Sequence, residues 1–414
     1  MKTTDQFPAP VQTGTRTPIA GQAASTSVRI SLLTAGRDKP YALGMAEALA
    51  SQGITLDFIG SDEVNGAVVL DNPRVSFLNL RGDQRPDTSL AGKIRRVLAY
   101  YLRLIRYAAI AKPRIFHILW NNKFEWFDRT ALLLYYKLLG KRIVFTAHNV
   151  NAGKRDANDT WLNRFSLRIQ YRLVDHIFVH TNNMKCELVR DFNVREGKVS
   201  VIPFGINNSV PNTKLTAGEA KRILGLSSGD KVILFFGNIA PYKGLEYLIA
   251  AFTTLASKSS AYRLLITGKP KQCENYWNKI QQDIARSGVR DRIIAKIEYV
   301  PDEQTELYFK AADVLVLPYT HVFQSGVLFL GYSFGLPVIA TDVASLREEI
   351  IEGETGFVSR PQDPVDLARV IHTYFGSELF MDLENRRRDI RDYASEKYSW
   401  SKVGQITKSV YATL

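Results

Sequence analysis

Short apolar runs alternate with longer stretches of helical periodicity along most of the chain. Residues 28–33 predict a strand, Gly36 lies just beyond it, and 41–52 predict a helix that ends at Gly53. Strands are then predicted over 54–59, 75–80, 115–120 and 143–147, with helices over 93–111 and 129–139. Turn chemistry from Pro203 to Asn208, with Pro211 beyond it, interrupts this rhythm. It restarts with strands over 232–236, 263–267, 293–297, 314–317 and 338–340, and helices over 245–255, 276–287, 307–312 and 327–334. Strands alternating with helices of about 10–15 residues imply parallel sheets with crossover helices. The fold class is therefore α/β, with two units of similar size meeting near residue 206. The cleft between such units is the default small-molecule site.

Composition narrows the class. The chain has 414 residues, 45% hydrophobic and 23% charged, which excludes a disordered or fibrous protein. Its length suits two domains of about 150–200 residues. Residues 1–27, rich in Thr, Pro, Gly, Ala, Gln and Ser, read as a disordered tail without the apolar core of a secretory signal. No run of about 18 apolar residues suggests a membrane span, so a cytoplasmic, soluble or surface-bound protein is expected. Two cysteines exclude a disulfide framework and a four-cysteine zinc site, and no metal site is expected. The net charge of +13 favours nucleic acid, phosphorylated small molecules or anionic membrane without choosing among them. No recognition motif or aromatic-basic repeat supports nucleic acid.

Candidate chemistry sits where predicted strands run into helices. Phe235 to Leu245 reads as strand end, loop and helix start, a place where free amides and the helix dipole favour an anion and Lys243 adds a full charge. A solvated lysine is the simpler alternative there. The strand 314–317 runs into His321-Val322-Phe323-Gln324-Ser325-Gly326 and then an all-apolar, hence buried, helix. Ser325 and Gly326 occupy its N-cap region, so the amides of Gly326 and Val327 are expected to point into the cleft. His148 follows the strand 143–147, at a carboxyl end that faces the crevice in an open α/β sheet. His117, inside a strand, reads as a core residue, and His176 and His180 are given no role.

Gly237 to Leu245, Ala311 to Pro318, Gly335 to Asp342 and Gly353 to Phe357 resemble the carboxy-terminal domain of the family 4 retaining glycosyltransferases. Thr146-Ala147-His148-Asn149-Val150 resembles the first-domain strand that ends in a histidine near the donor sugar, and Tyr398-Ser399-Trp400-Ser401 resembles the entry to a terminal helix that crosses back. The resemblance implies GT-B architecture: two Rossmann-like domains facing across a cleft. The N-terminal, acceptor-side domain would span 28–205, the nucleotide-sugar-binding domain 206–395 and the returning helix 396–414. It further implies a nucleotide diphosphate-sugar donor, no metal or other cofactor, and a glycan or lipid-linked acceptor, as in bacterial surface or exopolysaccharide assembly. Carried onto this sequence, the donor site comprises Gly237, Asn238, Lys243, Gly244, His321, Ser325, Gly326 and Val327. His148, Ser325 and Gln324 are the catalytic candidates, and Gly36 and Arg37 lie on the acceptor side. The sequence departs from the family pattern in three places. Asn238 stands where an arginine is usual. Val322 and Leu330 stand where two glutamates are usual, leaving His321, Gln324 or Ser325 as replacements for the first of them. The paired glycine near the amino terminus is reduced to Gly36-Arg37. The missing glutamates make a catalytically degenerate nucleotide-sugar-binding partner subunit the rival function.

The helix predicted over 93–111 has one further reading. At about 100° per residue, Ile94, Val97, Leu98, Tyr101, Leu102, Ile105 and Ala108 share one face, and Lys93, Arg95, Arg96, Arg103 and Arg106 share the other. Such a helix can lie on an anionic membrane, peripheral to the inner face, or simply present a solvated basic side.

Overall fold

The computed structural model describes residues 28–36, 38–85, 88–155, 159–206, 210–271, 273–322, 324–343 and 345–414. The expected tail at 1–27, Arg37, and Asn207 and Asn208 of the predicted turn lie outside the described residues.

Two parallel sheets organise the chain. The first contains β1 (Arg29–Leu33), β2 (Thr55–Ile59), β3 (Val75–Leu78), β4 (Ile115–Ile118), β5 (Arg142–Thr146), β6 (His176–Val179) and β7 (Val199–Val201), in the order β3-β2-β1-β4-β5-β6-β7. The second contains β8 (Lys231–Phe236), β9 (Tyr262–Thr267), β10 (Ile293–Lys296), β11 (Val314–Leu317), β12 (Val338–Thr341) and β13 (Gly356–Ser359), in the order β10-β9-β8-β11-β12-β13. This is the doubly wound α/β architecture of two Rossmann-like units. Both sheets are covered by helices on either face, so their central strands are buried on both sides: Val314–Leu317 and Ile115–Ile118 are buried throughout, and the one polar residue among them, His117, is hydrogen-bonded. In each sheet the strand order reverses once, between β1 and β4 and between β8 and β11, and those reversals open the crevices where ligands bind.

The chain returns to the first unit at its end. The helix Trp400–Tyr411, capped by Ser399, packs on the helix Lys39–Ser51 beside the first sheet. Tyr411 lies 2.6 Å from His117 Nδ1, and His117 Nε2 lies 2.7 Å from Thr146 Oγ1. His117 is therefore the core histidine the sequence suggested, and burial pushes its pKa down to about 3.

Two expectations need correction. The basic helix runs Leu90–Ile110, and its packed residues are Tyr100, Tyr101, Leu104 and Ala108. Ile94, Leu98 and Leu102, assigned to the buried face, are 53%, 54% and 69% exposed. The helix is rotated toward its tyrosines because their hydroxyls are satisfied from elsewhere, Tyr100 by Asn122 and Tyr101 by Asp128. Nor do the five cations form one solvated stripe: Arg95, Arg103 and Arg106 are exposed, but Lys93 and Arg96 are half-buried beside Tyr100.

Candidate active site

The loops expected to hold the donor flank the reversal of the second sheet. β8 ends at Gly237, whose φ of 101° is left-handed backbone, and a Cβ there would sit 3.3 Å from both Lys243 Nζ and Val327 Cγ2. Three expected donor residues thus converge on one small space that glycine keeps open. Gly244, with φ 63°, precedes the helix Leu245–Lys258, and any Cβ there would overlap the Pro318 carbonyl oxygen beyond β11. Thr320 N donates to Tyr242 O at 2.8 Å, so the loops after β8 and β11 are tied by their backbones. Lys243 is buried and donates to Tyr319 Oη at 2.9 Å. It is not a solvated lysine; its charge is held in place beside Gly237.

The helix Gly326–Ser333 starts in the same region. Its first amides have no intrahelical acceptor, and Gly326 is exposed at its mouth while Leu328, Phe329, Gly331 and Tyr332 are buried. Ser325 holds the N-cap position and is buried, but its hydroxyl makes no capping bond. Just before it, both amide atoms of Gln324 are buried without a partner among the described residues. An orphaned buried amide is costly, and a ligand hydroxyl or phosphate would satisfy it. His321 is half-buried, and Asn238 is exposed. Val322 is buried in the core of the second unit and Leu330 packs against that core, so neither residue at the usual glutamate positions offers a polar group to the cleft.

His148 comes from the first sheet, past the end of β5. It stacks on Trp120 at 4.4 Å between centroids and 5° between planes, and meets Tyr41 edge-on at 4.6 Å. Its protonation state follows from its neighbours. His180 Nδ1 lies 3.3 Å from the Ile202 carbonyl, which can only accept, so that nitrogen carries the proton. Burial depresses the pKa of His180 to about 4, so the ring is neutral and its Nε2 accepts from His148 Nδ1–H at 3.1 Å. Burial, then the adjacent His180 and His117, also hold His148 well below its ordinary pKa. Its Nε2 therefore presents a lone pair, and that atom is buried and unpartnered among the described residues. Such a nitrogen can accept a hydrogen bond.

Phe204 connects the two halves. Its ring lies 5.1 Å from His180 and 5.3 Å from Tyr41, and stacks on Phe329 of the helix Gly326–Ser333 at 5.2 Å. His148 and the start of that helix are thereby brought to the two sides of one ring. Gly36 is not part of this cluster: a Cβ there would meet Ser61 and Arg81 within the first unit. His180, Trp120, Tyr41 and Phe204 were not singled out from the sequence. A signal existed, since Trp120, His148 and His180 all stand just past the carboxyl ends of three adjacent strands, β4, β5 and β6. His176, four residues before His180, is engaged instead with Ser200 at 3.0 Å.

Two parallel sheets of seven and six strands, each a Rossmann-like unit, form the GT-B architecture of glycosyltransferases. The comparisons agree. Residues 40–210 match the Glycosyltransferase Family 4 profile, and residues 230–376 match Glycosyl transferases group 1. The chain belongs to the family 4 glycosyltransferases. An uncharacterized glycosyltransferase of Methanocaldococcus jannaschii is 29% identical over 56% of this chain and 58% of its own length, so that match spans little more than half of the relative. D-inositol 3-phosphate glycosyltransferase of Corynebacterium urealyticum is 25% identical over 92% of this chain and 91% of its own. Among solved structures, sucrose-phosphate synthase of Thermosynechococcus elongatus superposes with a TM-score of 0.74 at 19% identity, covering 93% of this chain and 98% of that one. Anabaena HepE, solved with UDP and glucose, superposes with a TM-score of 0.70 at 16% identity, covering 94% and 100%.

Proposed function

We propose that this glycosyltransferase moves a sugar, with retention of anomeric configuration, from a nucleotide diphosphate-sugar to a glycan or lipid-linked acceptor in surface or exopolysaccharide assembly. The observation that carries the reading is the convergence of Lys243, Gly237 and Val327 at the start of the helix Gly326–Ser333. The diphosphate leaving group develops charge as the glycosidic bond breaks. A fixed ammonium and preorganised amides stabilise that charge without reorganising, and transfer requires no metal. His148 Nε2 accepts from a sugar hydroxyl, and Gln324, free to donate and accept, takes the place left by the absent glutamates. Residues 206–395 serve as the donor half and 28–205 as the acceptor half, and 396–414 bind the two together. UDP-bound HepE, similar in fold, makes UDP the first nucleotide to test.

The test is a thermal-shift and calorimetric series of nucleoside diphosphates and their sugars, run with and without EDTA. A bound nucleotide at 100 times its dissociation constant adds about 2.7 kcal/mol of stability. Stabilisation by one nucleotide, with slow hydrolysis of its sugar that persists in EDTA, supports the reading; indifference to every nucleotide overturns it. The partner-subunit reading, motivated by Val322 and Leu330, predicts binding without hydrolysis.

The protein works at the inner membrane face as a cytoplasmic, peripheral protein. No helix among the described residues is long and apolar enough to cross a membrane. Leu98 and Leu102, exposed between Arg95 and Arg106, form an amphipathic surface in which leucines enter the interface and arginines meet lipid phosphates.

A further inference from the structure

Beside Gly36 the first unit carries a cavity of about 260 Å³ whose walls include Arg81, Arg85, Lys93, Arg96 and Lys123. Its other lining residues are Gln84, Val97, Tyr100, Tyr101 and Asn122, none of them acidic. Among the described residues only Arg85 of the five cations has an ion-pair partner, Asp83 at 2.5 Å. The arginines are positioned by neutral groups instead. Arg96 donates to the carbonyls of Asp83 at 2.8 Å and Arg85 at 3.1 Å. Arg81 donates to the Ala35 carbonyl and to Gln84 Oε1, and lies 5.5 Å above the Tyr100 ring. The floor is rigid as well: Tyr100 Oη donates to Asn122 Oδ1 at 2.6 Å, and Asn122 and Tyr101 both donate to Asp128 beneath. Five cations, two of them arginines on a fixed frame, outnumber the one nearby carboxylate, Asp83, and a multivalent anion suits that excess of positive charge.

The location gives the cavity its meaning. Arg81 reaches the turn after β1, and Asn122 follows Trp120 past the end of β4, so the cavity opens at the strand reversal of the first sheet. Trp120 is the ring on which His148 stacks. Another cationic cavity of the first unit, lined by Arg29, Lys112, Arg114 and Arg142, lies at the opposite, amino ends of β1, β4 and β5. Ligands of such sheets bind at the carboxyl ends.

We infer that this cavity binds a phosphate or diphosphate group of the acceptor, so that the enzyme glycosylates a phosphorylated acceptor. The inference rests on the acceptor-half reading of the first unit. Phosphate fits better than carboxylate because forked guanidinium donors match its oxygens and because the cavity offers more positive charge than one carboxylate neutralises. Two sources of that group are open to the same chemistry: a lipid diphosphate at the membrane or a soluble sugar phosphate.

The probe is inorganic pyrophosphate, titrated calorimetrically into the full chain and into Lys93→Gln/Lys123→Gln, whose side chains hold no described hydrogen bond. A Lys243→Ala protein is titrated in parallel to separate the donor site. Pyrophosphate should bind the Lys243→Ala protein at the cavity, and the double variant should lose that component at least tenfold while keeping its affinity for UDP. Retention of all pyrophosphate binding in the double variant overturns the proposal. Failure of UDP to bind any of the proteins overturns the donor reading instead. Competition by polyprenyl diphosphate in phosphatidylcholine vesicles assigns the lipid source and competition by a soluble hexose 1-phosphate assigns the free one. If neither competes with pyrophosphate, the acceptor assignment falls.

Discussion

Lys243 is buried and His148 half-buried, and each is held by different neighbours. Lys243 Nζ lies against Tyr319 Oη and beside the space left by Gly237. Losing one charge-assisted contact to a phosphate costs about 1.5–3 kcal/mol. Lys243→Ala should therefore weaken UDP binding at least tenfold in calorimetry, and unchanged affinity would remove Lys243 from the donor site. His148, His180 and His117 are all held neutral by burial. This makes stability fall with acid. Above the ordinary histidine pKa of 6.5 neither the folded nor the unfolded chain protonates these rings. Below it the unfolded chain takes up protons that the native rings refuse, so each contributes a loss of about 1.4 kcal/mol per pH unit. Asp128 opposes them, since burial raises its carboxyl to about 6 and the native state binds that proton more readily. Three rings outweigh one carboxyl between pH 6.5 and 5. Urea midpoints should drop from pH 7 to pH 5, and a level profile would mean that the rings are not buried neutral.

At the scale of elements, glycine and aromatic packing decide which loops meet. The second unit was legible because its strands are continuous apolar runs bounded by glycine. The predicted 314–317 is β11 itself, and 232–236 and 263–267 each fall one residue short of β8 and β9. The loop residues Lys243, Gly244 and Gly326 were legible for the same reason, as strand-to-helix junctions. The first unit was less so. β7 is three residues of Val-Ser-Val, too short for a periodic signal, and the helix Trp161–Leu173 buries Ser166 and Gln170 beside Leu167 and Tyr171 while Trp161 and Leu162 stay exposed, so its packed face is half polar. The Leu90–Ile110 helix was placed but its orientation was not, because the packing of Tyr100 and Tyr101 depends on Asn122 and Asp128, more than twenty residues away. That rotation changes the membrane prediction. Arg95→Gln/Arg106→Gln should weaken association with anionic vesicles and make it less salt-sensitive, each basic residue contributing about 1 kcal/mol. Leu98→Ser/Leu102→Ser should weaken it at all salt concentrations, because insertion is not screened. Flotation with vesicles distinguishes the two, and wild-type protein that ignores anionic vesicles at low salt would end the idea.

Across the whole molecule, a seam joins the two units, and Trp400 packs into it. Its indole N–H donates to Ile206 O at 2.9 Å, while Ile206 N donates to Tyr398 O at 3.2 Å, so the returning chain clasps the segment that leaves the first unit. Gly44 and Gly205 leave room for the ring, for a Cβ at either would overlap it. On the other side Phe204 stacks on Phe329, and Phe329 meets Tyr398 at 4.8 Å. The geometry that sets His148 opposite the helix Gly326–Ser333 thus rests in part on Trp400, with Glu348 adding a contact from the second unit to the backbone of Asn182 and Asn183. Gly205→Ala should force the indole aside at a cost of about 1–3 kcal/mol, the usual range for overpacking. Trp400→Ala should do something different in kind. It removes the clasp but leaves both sheets intact, so the single unfolding transition expected of the wild type should divide in two. UDP, held by loops of the second unit, should then raise only one of the two midpoints, whereas in the wild type it raises the common one. Scanning calorimetry with and without UDP reads this directly. One transition in Trp400→Ala, shifted as a whole by UDP, would show that the units are coupled through contacts other than this seam.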